Sequence, residues 1–262
     1  MRFFLMLLSL VLAAHTSWAA TATPRAQAKP NLTLLVDDEM MLPAAKLARA
    51  YATSNGTPLT AVLRRSNEAE QQILQGLEAH LLITSNQALI EQLGAQGLID
   101  VSATRPIART QLALVALPYM EKRETLAQRI SFASIIATTP ELPIFINAPT
   151  THDGERAAAL FTGYEFSATI KSRAVVKQNR EELVDAIRDE NGLGLMLAAD
   201  AIAQGNFAVL SVLPETMSPP VTYYAVVLAS ESMADAREVV AFLQSSHASK
   251  IFSHFGFQPP AN

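Results

Sequence analysis

Between Asn31 and Gly97 one pattern runs three times: a short apolar stretch of strand type, a polar turn, then apolar residues at helical spacing. Leu32-Thr33-Leu34-Leu35-Val36 leads through Asp37-Asp38-Glu39 into a helix carrying Met41, Ala45, Ala48 and Tyr51, which Asn55-Gly56 ends. The run 59–63, the turn Arg64-Arg65-Ser66-Asn67 and a helix with Ile73, Leu74 and Leu77 repeat the unit. The run 81–83, the turn Thr84-Ser85-Asn86 and a helix over 88–93, ended near Gly94 or Gly97, repeat it again. Strands alternating with helices at this interval predict βαβ units and a parallel sheet. Ligands of such sheets sit beyond the carboxyl ends of the strands, beside helix N-termini. The polar turns are therefore the candidate binding positions: Asp37, Asp38 and Glu39, then Arg65, Ser66 and Asn67, then Ser85.

The second half of the chain opens another series. A strand over 112–117 precedes a polar helical stretch over 121–132. Ile144-Phe145-Ile146, Val175-Val176 and Gly192-Leu193-Gly194-Leu195-Met196-Leu197 read as further strands, and 181–188 as a helix. Their turns supply His152-Asp153-Gly154 and Lys177-Gln178-Asn179, which adds Asp153 and Asn179 to the candidate ligands. After Ser218-Pro219-Pro220, a strand over 221–228 leads to a final helix pair. The strands beginning at Leu112 and Val221 are read as two crossings between α/β lobes. One lobe takes 30–111 and the other 112–220, with 221–262 returning to the first.

The first 19 residues read as a secretory signal: Arg2 stands before an apolar run of about 12 residues, short of the roughly 20 that span a bilayer. Ser17 and Ala19 are the small residues before a cut after Ala19, and 20–29 forms an Ala/Thr/Pro leader. The chain has no cysteine, hence no disulfide, thiolate metal site or lipid-attachment thiol, which suits a free periplasmic protein. Half the residues are apolar, and a mature chain of roughly 230 residues can build two modest lobes. The net charge of −4 becomes −5 once Arg2 leaves, with no dense basic stripe, which excludes nucleic acid as a partner. There is no Gly-x-Ser-x-Gly elbow, no His-Glu-x-x-His and no glycine-rich phosphate loop, so neither an enzyme nor a bound cofactor is expected.

Several blocks then resemble the periplasmic molybdate-binding proteins of ABC transporters. Val239-Val240-Ala241-Phe242-Leu243, Ala248-Ser249-Lys250-Ile251-Phe252 and Phe255-Gly256-Phe257 look like that family's closing helix and aromatic-Gly-Phe end. Leu193-Gly194-Leu195 with Ala199-Asp200-Ala201 is similar to its glycine-led strand and Asp-Ala turn. Gln72-Ile73 with Gly76, and Leu81-Leu82-Ile83-Thr84-Ser85, match two further blocks in order and spacing. The resemblance implies a type II periplasmic-binding fold: two mostly parallel sheets with flanking helices, joined by two crossing strands. It also implies a monomer that hands a small-molecule or ion ligand to an inner-membrane permease. In that family the ligand is a tetrahedral oxyanion, held by hydroxyls and by helix N-termini, which carry roughly half a positive charge.

The pocket positions depart from that pattern. Glu39 falls on the ligating serine and Leu197 on the tyrosine. A carboxylate about 4 Å from a unit negative charge costs about 4 kcal/mol at an effective dielectric near 20. That is roughly three orders of magnitude in affinity, and more for a dianion. Three ligand classes stay open at this point. The acidic turn suits a metal cation or an amine, whereas Ser66, Ser85 and Arg65, which could instead pair with Glu39, suit another anion. A periplasmic accessory or sensor protein that keeps the fold without transporting is a further alternative. Residue by residue, Asp37 to Glu39 would also serve as helix caps, Asp153 as a turn residue bonding Gly154, and Tyr223 and Tyr224 as hinge packing.

Overall fold

The structure, a computed structural model, describes residues 29–64, 66–121 and 131–261. The stretch read as a signal, most of the stretch read as a leader, Arg65 and the polar stretch over 122–130 lie outside the described residues, as do the side chains of Asp38, Ser66, Asn67, Met120, Glu121 and His152.

Two five-stranded sheets form two lobes. The first has the order β2-β1-β3-β10-β4, from β1 (Leu32–Val36), β2 (Leu59–Leu63), β3 (Leu81–Thr84), β4 (Ile99–Thr110) and β10 (Val221–Leu228). The second has the order β7-β6-β8-β5-β9, from β5 (Leu112–Ala116), β6 (Ile144–Asn147), β7 (Ala174–Lys177), β8 (Leu193–Leu197) and β9 (Ala208–Val212). In each sheet one strand, β10 or β5, runs against the other four, so both are mostly parallel as the periodicity predicts. The crossings differ in detail from the reading above. The chain passes between sheets at Gln111 and again over 213–220, immediately before the strands at Leu112 and Val221, which belong wholly to their sheets. Gln111 Nε2 donates to the carbonyl of Leu213 at 3.2 Å and ties the two passages together.

Alternation within the central strands explains why both sheet faces are covered. Leu34 and Val36 pack on one side of the first sheet while Leu35 packs on the other, and Leu112 and Leu114 oppose Ala113 and Val115 in the second. Strands buried on both faces read as continuous apolar runs. The helices that cover them are α1 (Met41–Asn55), α2 (Ser66–Leu74), α3 (Gln87–Ala95), α4 (Pro118–Glu121), α5 (Phe132–Thr138), α6 (His152–Ala159), α7 (Ser167–Arg173), α8 (Arg180–Asp189), α9 (Ala198–Gln204), α10 (Met233–Leu243) and α11 (Ser246–His254).

Register brings the strand ends to one edge in each lobe. Val36 stands level with Leu63 and Ile83, and Asn147 stands level with Lys177. The lobes also share apolar contact: Leu197 and Ala199 of the second join the core cluster of Tyr223 and Phe257 in the first. Gly256 permits that approach, because a Cβ there would lie 2.6 Å from Ile202 Cδ1, and its φ of +79° is one that glycine adopts freely.

Candidate functional site

The acidic turn after β1 leads into α1. A 3-10 turn over Asp38–Met40 intervenes, and Met40, the residue before the helix, makes no side-chain cap bond. Glu39 instead reaches across the gap between the lobes. Its Oε1 lies 2.5 Å from Nη2 of Arg180, the first residue of α8, and the same nitrogen lies 3.3 Å from Oδ1 of Asp200 in α9. Asp200 is buried, and Glu39 and Arg180 are partly so. A cation at a helix N-terminus opposes the helix dipole, and the two carboxylates supply what holds it there.

Around this network lies a cleft of about 830 Å³, a volume typical of small-molecule sites. Five carboxylates, Glu39, Asp153, Glu155, Glu181 and Asp200, line it against the single guanidinium of Arg180 among the described residues. The field of these groups is felt by Tyr223, which packs edge-on against Phe257 on the hinge side. Burial pushes its hydroxyl pKa well above the ordinary value, Glu39, Asp200 and Asp37 push it further, and Arg180 opposes them.

Opposite Glu39, the second lobe presents the turn between β6 and α6. Thr151 caps α6, its Oγ1 accepting from the Gly154 N–H at 3.1 Å, and Asp153 Oδ1 accepts from the same N–H at 3.0 Å. A Cβ on Gly154 would lie 2.0 Å from the Ala148 carbonyl oxygen, so only glycine lets the helix start this close to the strand. Asn147, at the end of β6, donates from Nδ2 to Asp153 Oδ2 at 2.8 Å. Asn179 caps α8: its Oδ1 accepts from the Glu182 N–H at 2.9 Å, and its Nδ2 donates to Glu182 Oε1 at 3.0 Å.

Of the residues named from sequence, Glu39, Asp153 and Asn179 line the cleft. Asp37 is not among its lining residues and directly follows β1 in the chain. Ser85 is elsewhere: with Gln87, Arg156 and Thr222 it lines a separate depression of about 250 Å³. Its neighbours there include Pro220 and Val221, at the second crossing and the start of β10, the strand on the far side of β3 from β1. Thr150, Thr151, Asn147, Arg180 and Gln204 line the cleft without having been picked out. Asn147 was within reach, since it ends a buried strand of a parallel sheet. Arg180 carries no local signal, because its partner Glu39 is 141 residues away.

A family model for bacterial extracellular solute-binding proteins matches residues 32–258, nearly the whole described chain. The chain belongs to that family. No curated protein is similar enough to this solute-binding protein to count as a relative. Among solved structures, it is similar to a substrate-binding domain assigned to a molybdenum ABC transporter from Clostridium difficile. That match has a TM-score of 0.77 at 20% identity and covers 88% of this chain and 99% of the other. The periplasmic molybdate-binding protein of Azotobacter vinelandii gives 0.64 at 17% identity, covering 88% and 100%. The tungstate-binding protein of Desulfovibrio alaskensis gives 0.63 at 14% identity, covering 89% and 100%. At these identities the likeness carries the two-lobed fold. Within the described residues of this solute-binding protein, no helix is long and apolar enough to cross a membrane, and no three carboxylate or imidazole groups converge as metal ligands.

Proposed function

We propose that this chain is the periplasmic substrate-binding component of an ABC-type transporter, closing its lobes on a small solute that is not a tetrahedral dianion. The family and the cleft between two hinged lobes support the transport role, as does the signal-like segment ending at Ala19. The structural neighbours described as molybdate- and tungstate-binding point to an inner-membrane permease as the partner. The observation that carries the ligand half is the contact of Glu39 with Arg180. Among the described residues, the one cation lining the cleft is engaged by two carboxylates, and Asp153, Glu155 and Glu181 add further negative charge. An incoming dianion would meet that charge in a partly desolvated site, where repulsion is several times its value in water.

The test is a thermal-unfolding screen of residues 20–262 against molybdate, tungstate, sulfate, phosphate, divalent and trivalent metal ions, and small amines. A solute at a hundredfold excess over its Kd adds about 2.7 kcal/mol of stability. At least one class outside the dianions is expected to give that shift, together with a smaller radius of gyration in X-ray scattering. An unshifted melting curve with every solute would overturn the binding role.

A further inference from the structure

Asn147 is 3% exposed and lines the cleft, yet its side-chain oxygen has no hydrogen-bond partner. The amide orientation is fixed by its neighbour: Nδ2 donates to Asp153 Oδ2 at 2.8 Å, and turning the amide over would set oxygen against carboxylate. Oδ1 is thus a buried acceptor lacking a donor, a condition that native interiors rarely leave unmet. Asp153 does not need another donor as Asn147 does. Its carboxylate is served by Asn147 Nδ2, by the Gly154 N–H, and by Thr151 Oγ1 at 2.8 Å.

Resting on the solute-binding reading, we propose that the Asn147 end of the cleft is a subsite for the ammonium group of a small organic amine. The missing partner at Oδ1 is a donor, which an unprotonated oxyanion such as molybdate, tungstate or sulfate cannot supply. The carboxylate excess around the cleft selects a donor that is positively charged over a neutral hydroxyl or amide. The absence of three converging carboxylate or imidazole groups among the described residues favours an ammonium over a multivalent metal ion.

Isothermal titration of residues 20–262 with ethylenediamine, its uncharged counterpart ethylene glycol, sodium tungstate and magnesium chloride tests this. The proposal expects ethylenediamine to bind and ethylene glycol not to. It also expects Asn147→Leu to weaken ethylenediamine at least tenfold while Ser85→Ala leaves it unchanged. Should Asn147→Leu fail to fold, the wild type still decides through its Asn147 side-chain amide resonance, which ethylenediamine should shift. Ethylenediamine binding that moves neither the variant's affinity nor that resonance would overturn the subsite. Binding of magnesium alone would overturn the amine proposal and leave the solute-binding reading intact, whereas binding of tungstate alone would overturn both the amine proposal and the exclusion of dianions and leave only the transport role. If all four ligands gave no heat, the amine proposal would fall; the solute-binding reading would fall with it only if the wider solute screen were also blank.

Discussion

Arg180 Nη2 sits 2.5 Å from Glu39 Oε1, and this one contact ties the start of α8 in the second lobe to the turn after β1 in the first. The same nitrogen faces the buried Asp200, so the guanidinium holds two carboxylates of different lobes in place. Removing one member of such a set leaves the others in low dielectric without their counter-charge.

Arg180→Ala should therefore destabilise the protein by about 2–4 kcal/mol, and Arg180→Lys by less, since lysine restores the charge without the planar fork. Urea unfolding of the three proteins measures this. Equal stability of Arg180→Ala and the wild type would show the contact to be without consequence.

His80 gives the fold a pH dependence on the acid side. Its Nδ1 accepts the Thr33 N–H at 3.0 Å, which requires that nitrogen to be unprotonated. Burial lowers the His80 pKa below its ordinary 6.5, against the opposing pull of Glu78 and Asp235. The folded state thus binds a proton less readily than the unfolded chain. Its contribution is present above the unfolded value of 6.5 and is lost as pH falls through the folded value. In His80→Asn, where the side-chain oxygen can stand in for Nδ1 without titrating, the melting temperature should fall less between about pH 7.5 and 5 than in the wild type. Parallel curves would contradict this.

Gly256 tests the apolar seam between lobes. A Cβ at this position meets Ile202 Cδ1 at 2.6 Å and the Ala198 carbonyl oxygen at 3.1 Å, on a backbone at φ +79°. Gly256→Ala should cost about 1–3 kcal/mol from the left-handed conformation and the overpacking together. Differential scanning calorimetry should show the loss as a melting temperature several degrees lower, and an unchanged transition would argue that the seam yields freely.

Much of the fold was legible because it rests on local periodicity. β1, β2 and β3 each appear as short apolar runs before polar turns, and the register that aligns their ends follows from the parallel pairing they imply. The site was legible only in part. Glu39 and Asp153 follow from the rule that ligands gather at strand ends, and both line the cleft. Ser85 satisfies the same rule yet lines a depression with Val221 and Thr222 of β10, a strand some 140 residues later in the chain. Arg180 pairs with Glu39 over a comparable separation, a relation no local spacing encodes. Asn147 follows the apolar run 144–146 and carries no signal of its own in the sequence; its unpaired oxygen is visible only once Asp153 is seen to fix the amide.

On the proposed reading, the Glu39 carboxylate and its neighbours bar tetrahedral dianions from the cleft, although the fold is shared with proteins described as molybdate- and tungstate-binding. Calorimetric titration of the wild type and of Glu39→Ser with tungstate at fixed ionic strength addresses it most directly. The wild type is expected not to bind micromolar tungstate, with affinity rising in Glu39→Ser as Arg180 is released toward the anion. A micromolar Kd for the wild type would contradict it.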